Sequence, residues 1–440
     1  MRLAFKVLLW CLMPPLLLVA AWVVCNVGWA DAAPQPVPAE LQPQAVTLAA
    51  ADNAFFDGQG LQAPEGESPN AWGQRVWRGD VDAAAKRLPL PTGDDWNCNA
   101  GKADCLARWR ASAAALMVQM NGARTFGERC WALAGKQAWQ EPMPVRRERP
   151  ADAKPYDAMP LPQFAPVSAC MRWLQIAAVL APDAQQAQAA WAQADALLRL
   201  FASGAQTLVG QAVAWSWATR QQQLLAQWSA QRPRGYALPS AWMAQMPARL
   251  LTPRAWMAAE SHWQRETTVD LLGHGEQMFS TDPGPLQAWA GRHHLGYLPE
   301  LTAQATAAYW LADLRLYGHL QGPALARAVR SQAEPDASWW RYLRWRNTLG
   351  QVLVEVGRPA FGRYALRQAD LALYQAALEL SQQLNAQAPA GRAAWWARQP
   401  VEAGIRERLT LDGDALLIRT WRGEMDPAYA APVRFPLRPS

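Results

Sequence analysis

An uncharged apolar stretch from Val7 to Val27 constrains this chain more than any other feature. Arg2 and Lys6 precede it, and no charge follows until Asp31. Roughly 20 apolar residues are enough to cross the hydrocarbon core of a bilayer. Cations on the N-terminal flank stay inside, so the remainder is expected to be exported. Residues 1–30 therefore read as a signal-anchor, with a single pass in the inner membrane and the bulk in the periplasm. The alternative is a cleaved signal peptide with Ala30-Asp31-Ala32 as a small-x-small site, which leaves a soluble periplasmic protein. The anchor is favoured because the run is long for a signal peptide and Trp29 crowds that site. Pro14-Pro15 would kink the helix, which membranes tolerate. Lipidation at Cys25 is disfavoured by the bulky Trp22-Val23-Val24 before it.

Export changes how the cysteines read. Cys11 and Cys25 fall in the apolar segment, leaving Cys98, Cys105, Cys130 and Cys170. An even number in an oxidising compartment predicts two disulfides, and three pairings are possible. Cys98 and Cys105 border a loop-like composition, Asn97-Cys98-Asn99-Ala100-Gly101-Lys102, which suits a short bridge. A Cys130–Cys170 bridge would staple a proline-rich stretch, with about 3 kcal/mol or more to gain. A zinc site is disfavoured because no Cys-x-x-Cys pair is present. No metal or cofactor is expected.

The rest of the chain is patterned as helix. Leu106, Trp109, Ala113, Leu116, Met117 and Met120 recur at steps of three and four. Helices are predicted over 125–138, 168–180, 184–201, 205–229, 239–247, 253–272, 299–318, 322–333, 337–355 and 360–386. Asp183 and Ser240 are candidate N-caps, and Thr252-Pro253 fits a cap followed by Pro at the first helical position. Residues 31–52 read as a linker, 53–400 as a helical domain with a Pro-rich loop at 141–167, and 401–440 as a β-hairpin element. The hairpin signal is alternation around Asp412-Gly413, with Val433–Leu437 as a candidate third strand. The expected fold is thus mainly α: an irregular multi-helix domain with a small C-terminal β-hairpin, preceded by one transmembrane or signal segment. The chain has 25 Trp against 9 Phe and 9 Tyr, an excess expected to pack helix interfaces. Its net charge of +6 rests almost wholly on Arg and does not by itself indicate nucleic acid.

Candidate chemistry is sparse. Nucleophile elbows, phosphate-cradling loops and dinucleotide fingerprints are absent. His262 and Glu266 share a helix face but lack a third ligand, and His293-His294 falls in a probable-loop composition rather than on one helix face. Glu260-Ser261 on a helix resembles the catalytic element of lytic transglycosylases, in which a helix Glu followed by Ser acts as general acid. Such an acid needs a carboxyl whose pKa is raised by an apolar pocket. Met257, Ala258, Ala259 and Trp263 supply apolar company, but the downstream Gly-Leu-Met-Gln element is missing. The sharpest surface candidate is Trp339, Trp340, Arg341, Arg344 and Trp345, read as an amphipathic helix and possible interface.

Several short motifs resemble an uncharacterised group of proteobacterial envelope proteins. They are Asn53-Ala54-Phe55-Phe56, Gly60-Leu61-x-Ala63-Pro64, Phe361-Gly362-Arg363-Tyr364 and Asp370-Leu371. The resemblance implies an envelope location and no particular activity. The expected function is a non-catalytic cell-envelope interaction, assembly or immunity-type factor. Its expected partners are the inner membrane, through the N-terminal segment, and an envelope protein, with no nucleic acid. The alternative is a periplasmic glycan-cleaving enzyme with Glu260 as general acid.

Overall fold

The computed structural model describes residues 2–81, 85–143, 161–273, 284–331, 345–357 and 361–439, with the side chains of 2–9, 268–273 and 356–357 set aside. Helix α1 spans Arg2–Cys25, followed by α2 (Ala54–Gln59), α3 (Pro69–Arg78), α4 (Cys105–Ala111), α5 (Ala113–Gly122) and α6 (Arg124–Ala134). The body comprises α7 (Phe164–Leu180), α8 (Ala184–Gly204) and α9 (Leu208–Ala230), then the short α10 (Ser240–Met243) and α11 (Ala248–Leu251). It continues through α12 (Arg254–Gly273), α13 (Pro285–Arg292), α14 (Pro299–Tyr317), α15 (Gly322–Arg330) and α16 (Thr348–Gly357). The longest helix, α17 (Phe361–Ala386), precedes α18 (Arg392–Arg398), α19 (Ala403–Arg406) and three strands.

At the centre α9 packs on α17, with the α7–α8 pair on one side, α15 on α17, and α12 against α14. Side-chain caps start the long helices: Asp183 accepts from Gln186 N, and Thr207 accepts from Gly210 N. Tryptophan fills the interfaces. Trp96, Trp109, Trp191, Trp215, Trp256, Trp310 and Trp421 are all fully buried. Indole N–H groups find partners where they can; Trp215 donates to Leu250 O and Trp256 to Gln368 Oε1. The motif glycine Gly60 has a steric cause. A Cβ there would lie 1.7 Å from Pro69 O, so only glycine lets α2 and α3 meet this closely.

The C-terminal strands form one antiparallel sheet in the order β1 (Leu409–Asp412), β2 (Ala415–Ile418), β3 (Val433–Pro436). Asp412 pairs with Ala415, leaving a two-residue turn in which Gly413 takes a φ of 55°. Leu416, Ile418 and Phe435 are buried where the sheet packs on α17 and α9.

Some boundaries differ from the sequence pattern. The stripe from Leu106 to Met120 is two helices, because Ser112 departs from helical dihedrals at φ −95°, ψ 15°. Helix α13 has no counterpart among the expected helices. Of the helix expected over 337–355, residues 337–344 lie outside the described residues; α16 begins at Thr348, after Asn347, which adopts φ 57° and interrupts any helix there. The stretch read as a linker, 31–52, lies along the body: Leu41 is fully buried, and Gln140 Oε1 accepts from Thr47 N and Leu48 N.

The transmembrane anchor is corrected by the structure. No helix among the described residues is long and apolar enough to cross a membrane. From Trp22 onward the chain beds into the domain. Asn26 Nδ2 donates to Trp345 O at 2.6 Å, Asn347 N donates to Asn26 Oδ1 at 2.7 Å, and Gly28 N donates to His293 O. Asp31 then accepts from Glu300 N and Leu301 N, satisfying the first turn of α14. The expected single-pass inner-membrane location, and the membrane and envelope-protein partners inferred from it, lose their basis.

The disulfides are Cys98–Cys105 and Cys130–Cys170, with Cα separations of 5.6 and 5.3 Å. The second joins α6 to α7 across the proline-rich stretch, of which 144–160 lie outside the described residues. Their loops span 7 and 40 residues. Loop-closure entropy then gives about 2 and about 4 kcal/mol. Cys130→Ser with Cys170→Ser should accordingly lower the denaturant unfolding free energy by more than Cys98→Ser with Cys105→Ser; equal losses in urea titrations would contradict the entropic account.

Candidate functional site: an arginine-lined cleft

A cleft of about 470 Å³ opens where α9, α17, the C-terminal cap and the Cys98–Cys105 loop meet. Helical spacing builds two of its walls. Ser216, Thr219, Arg220 and Gln223 share one face of α9, and Arg367, Asp370 and Tyr374 share one face of α17. Arg422 and Tyr429 come from the turns after β2, and Asn97 to Ala100 from the disulfide loop. A buried glutamine fixes that loop. Gln227 Nε2 donates to Ala100 O at 3.0 Å and Ala103 O at 2.9 Å, and its Oε1 accepts from Cys105 N. Asp370 fixes the cap: its Oδ1 accepts from Trp421 N at 2.7 Å.

The cleft is unbalanced in charge. Arg220 donates through Nε to Gln175 Oε1 at 3.1 Å and lies over the Trp109 ring, yet its Nη2 is buried with no hydrogen-bond partner. Burial, then the charge of nearby Arg172, brings its pKa down to about 9. Arg172 donates to Asn97 Oδ1 at 2.7 Å while its Nε stays buried and unpartnered. Arg367 makes no hydrogen bond among the described residues, and burial followed by the charge of Arg422 lowers its pKa. The Arg422 guanidinium stacks 3.7 Å from the Tyr429 ring centroid. Its Nε stands 3.6 Å from Asp370 Oδ2, beyond hydrogen-bond range, and both atoms are otherwise unpartnered.

Among the described residues Asp370 is the one carboxylate lining this cleft. Burial pushes its pKa up to about 7, against the opposing pull of the Trp421 N–H and the Arg422 charge. Burial and Asp370 together push Tyr374 up to about 12, so its hydroxyl remains a donor at any ordinary pH. Buried guanidinium groups normally face carboxylates or phosphates. Here Arg220, Arg367 and Arg422 line one open space with Asp370 as the single carboxylate among its described lining residues, an arrangement able to receive an anion.

Glu260 sits elsewhere, on α12, half-buried at the start of α9. Its Oε1 accepts from Leu208 N at 3.2 Å. Beside it Glu141 is fully buried and accepts from Gln206 N, Thr207 N and Thr207 Oγ1 at 2.6, 3.1 and 2.6 Å. Two carboxylates thus satisfy the free N–H groups at one helix start, where the dipole favours negative charge. Burial, and secondarily the Glu141 charge, raise Glu260 to about 7 despite the Leu208 bond. Glu260 does not line the arginine cleft.

The other candidates are scattered. No group of metal-ligating side chains exists among the described residues, so His262 and Glu266 gain no third ligand. His293 and His294 lie just beyond α13, where Gly28 N reaches His293 O. Trp339, Trp340, Arg341 and Arg344 lie outside the described residues. Trp345 is exposed and precedes α16 rather than standing on it. Of the cleft residues, sequence reasoning singled out Asp370, as half of a short motif, and the loop at 97–100 with its disulfide cysteine Cys98, but none of the arginines. The available signal was a run of amides and Arg220 on a helix with no polar face: Gln221, Gln222, Gln223 and Gln227 are all buried. No family model, curated protein or solved structure matches the chain.

The folded-state pKa of Glu260 is raised, so ionising it opposes folding. Its contribution is intact below pH ~4.5 and is lost as pH rises through about 7. Glu260→Gln keeps an acceptor for Leu208 N and removes that charge. Urea titrations should show the variant about 2 kcal/mol more stable than wild type at pH 8, after discounting for partial exposure, and indistinguishable at pH 4.5; the opposite pH trend would contradict the assignment.

Proposed function

We propose that this chain is a non-catalytic cell-envelope binding protein that takes an anionic ligand in the arginine-lined cleft. The observation that carries the reading is the gathering of Arg220, Arg367 and Arg422 along one cleft with a single lining carboxylate, Asp370, which pairs with Arg422 and leaves the other two guanidinium groups without a carboxylate among the lining residues. Leaving such groups unpaired costs folding free energy, and a bound anion offsets that cost. Two disulfides support folding in an oxidising compartment.

The reading has a stability signature. Arg220→Met keeps the aliphatic stem over Trp109 and removes the orphaned charge. It should leave the empty protein as stable as wild type or more stable, by up to ~3 kcal/mol. Binding, however, should be lost. A ligand at a hundredfold excess over Kd stabilises by about 2.7 kcal/mol. Thermal melts of the wild type with small carboxylates, sulfates and phosphates should rise by a few degrees, and melts of Arg220→Met should not. A variant that is destabilised yet still responds to anions would overturn the assignment.

A second reading, a glycan-cleaving enzyme with Glu260 as general acid, has one specific observation in its favour. The Glu260 carboxyl is held at about 7, where an acid retains its proton near neutral pH. On this reading wild-type protein releases soluble saccharide from purified cell-wall glycan, and Glu260→Gln reduces the rate at least a hundredfold, within the ~10²–10⁴-fold that acid–base catalysis contributes. Absence of wild-type release under conditions where the protein is folded removes this reading.

A further inference from the structure

The cleft separates charge from neutral polarity. Arg220, Arg367, Asp370 and Tyr374 form its floor, and Arg422 reaches in from the cap. At the mouth stand the exposed Asn97, Asn99 and Ser216, together with the exposed ring of Tyr429. The mouth groups are amides, a hydroxyl and an aromatic face. Asn99 Oδ1 accepts from Gly101 N within its own loop while its amide N–H₂ makes no hydrogen bond among the described residues; the Asn97 amide accepts from Arg172 and donates to Gly93 O. An inorganic ion would use only the floor. A lipid anion would need apolar walls leading to the charge, whereas the exposed lining residues are Asn97, Asn99, Ser216 and Tyr429. A nucleotide would need a slot for a base, whereas the exposed face of Tyr429 is already half covered by Arg422.

Resting on the anion-binding reading, we infer that the ligand is an acidic saccharide, whose ring-borne carboxylate, sulfate or phosphate enters the guanidinium floor while its hydroxyls meet the amides and Ser216 at the mouth. Bidentate guanidinium contacts suit each of these planar or tripodal anions. Sugar hydroxyls both donate and accept, and so do carboxamides and Ser216. A volume of about 470 Å³ lies in the lower part of the ~300–1,000 Å³ range of small-molecule sites. That favours a short saccharide or the end of a chain over a long segment lying across the surface.

The test is isothermal titration of the full disulfide-bonded chain with five probes: a galacturonate oligomer, a sulfated oligosaccharide, a neutral gluco-oligomer, inorganic sulfate and an acidic dipeptide. The expected result is that at least one acidic saccharide binds tenfold or more tighter than the other three. Arg220→Met with Arg422→Met should reduce that affinity at least tenfold. Ser216→Trp, which occupies the exposed mouth and leaves the floor intact, should block the saccharide but not inorganic sulfate. This second variant serves where the arginine variant fails to fold by circular dichroism. If inorganic sulfate or the dipeptide binds as tightly as the saccharides, the anion cleft stands and the saccharide class is overturned. The same holds if Ser216→Trp leaves saccharide affinity unchanged. If none of the five binds, both readings fall.

Discussion

The packing of α9 on α17 is the contact on which the other elements depend. Both helices are buried along most of their length, and both carry polar side chains on buried faces. Those polar groups act as connectors. Gln222 Nε2 donates to Gln375 Oε1, tying the two helices together, while Gln227 reaches the disulfide loop and Gln368 reaches Leu250 O and Trp256. Buried amides hold geometry only when their partners are in place. The same pair of helices therefore fixes the distance between Arg220 and Asp370, and with it the shape of the cleft.

The Cys98–Cys105 bridge and Asp370 hold the cleft from opposite sides. The bridge limits a loop that would otherwise drift from α9, and Gln227 fixes it in register. Asp370 spends one oxygen on the Trp421 N–H, which docks the C-terminal cap, and leaves the other beside Arg422. A single buried carboxylate therefore serves both the fold and the electrostatics of the site. The excess of guanidinium over carboxylate is a cost to folding that a core of buried tryptophan offsets. Glu141 and Glu260 show the opposite arrangement, two carboxyl groups held together because one helix start has N–H groups for both.

The N-terminal segment illustrates how context redirects an apolar pattern. Asn347 N donates to Asn26 Oδ1 in a buried knot that also engages Gly296 N, Leu298 N and Thr302. That knot turns residues 22–31 into part of the domain. Asn347 can occupy its left-handed conformation because Asn tolerates positive φ better than most residues.

Local rules were enough for much of the architecture. The spacing of apolar residues gave α8, α12, α14 and α17 within a few residues, Asp183 marked a helix start, and Asp412-Gly413 marked the β1–β2 turn. The cysteine count pointed to two disulfides, although spacing alone left the pairing open. These features are legible because helix periodicity, capping and turn chemistry involve neighbours within about a turn of chain. The cleft was not legible, since Arg220, Arg367 and Arg422 are far apart in sequence and each reads alone as a solvated cation. Only tertiary packing decides which arginines lose their water and whether a carboxylate meets them. The same holds for Glu260, whose apolar neighbours suggested a pocket while the fold gave it a helix start to cap. It holds too for the apolar N-terminal segment, whose composition suggested a span and whose following residues, Asn26 and Asp31, are bound into the domain by contacts from residues more than 260 positions away.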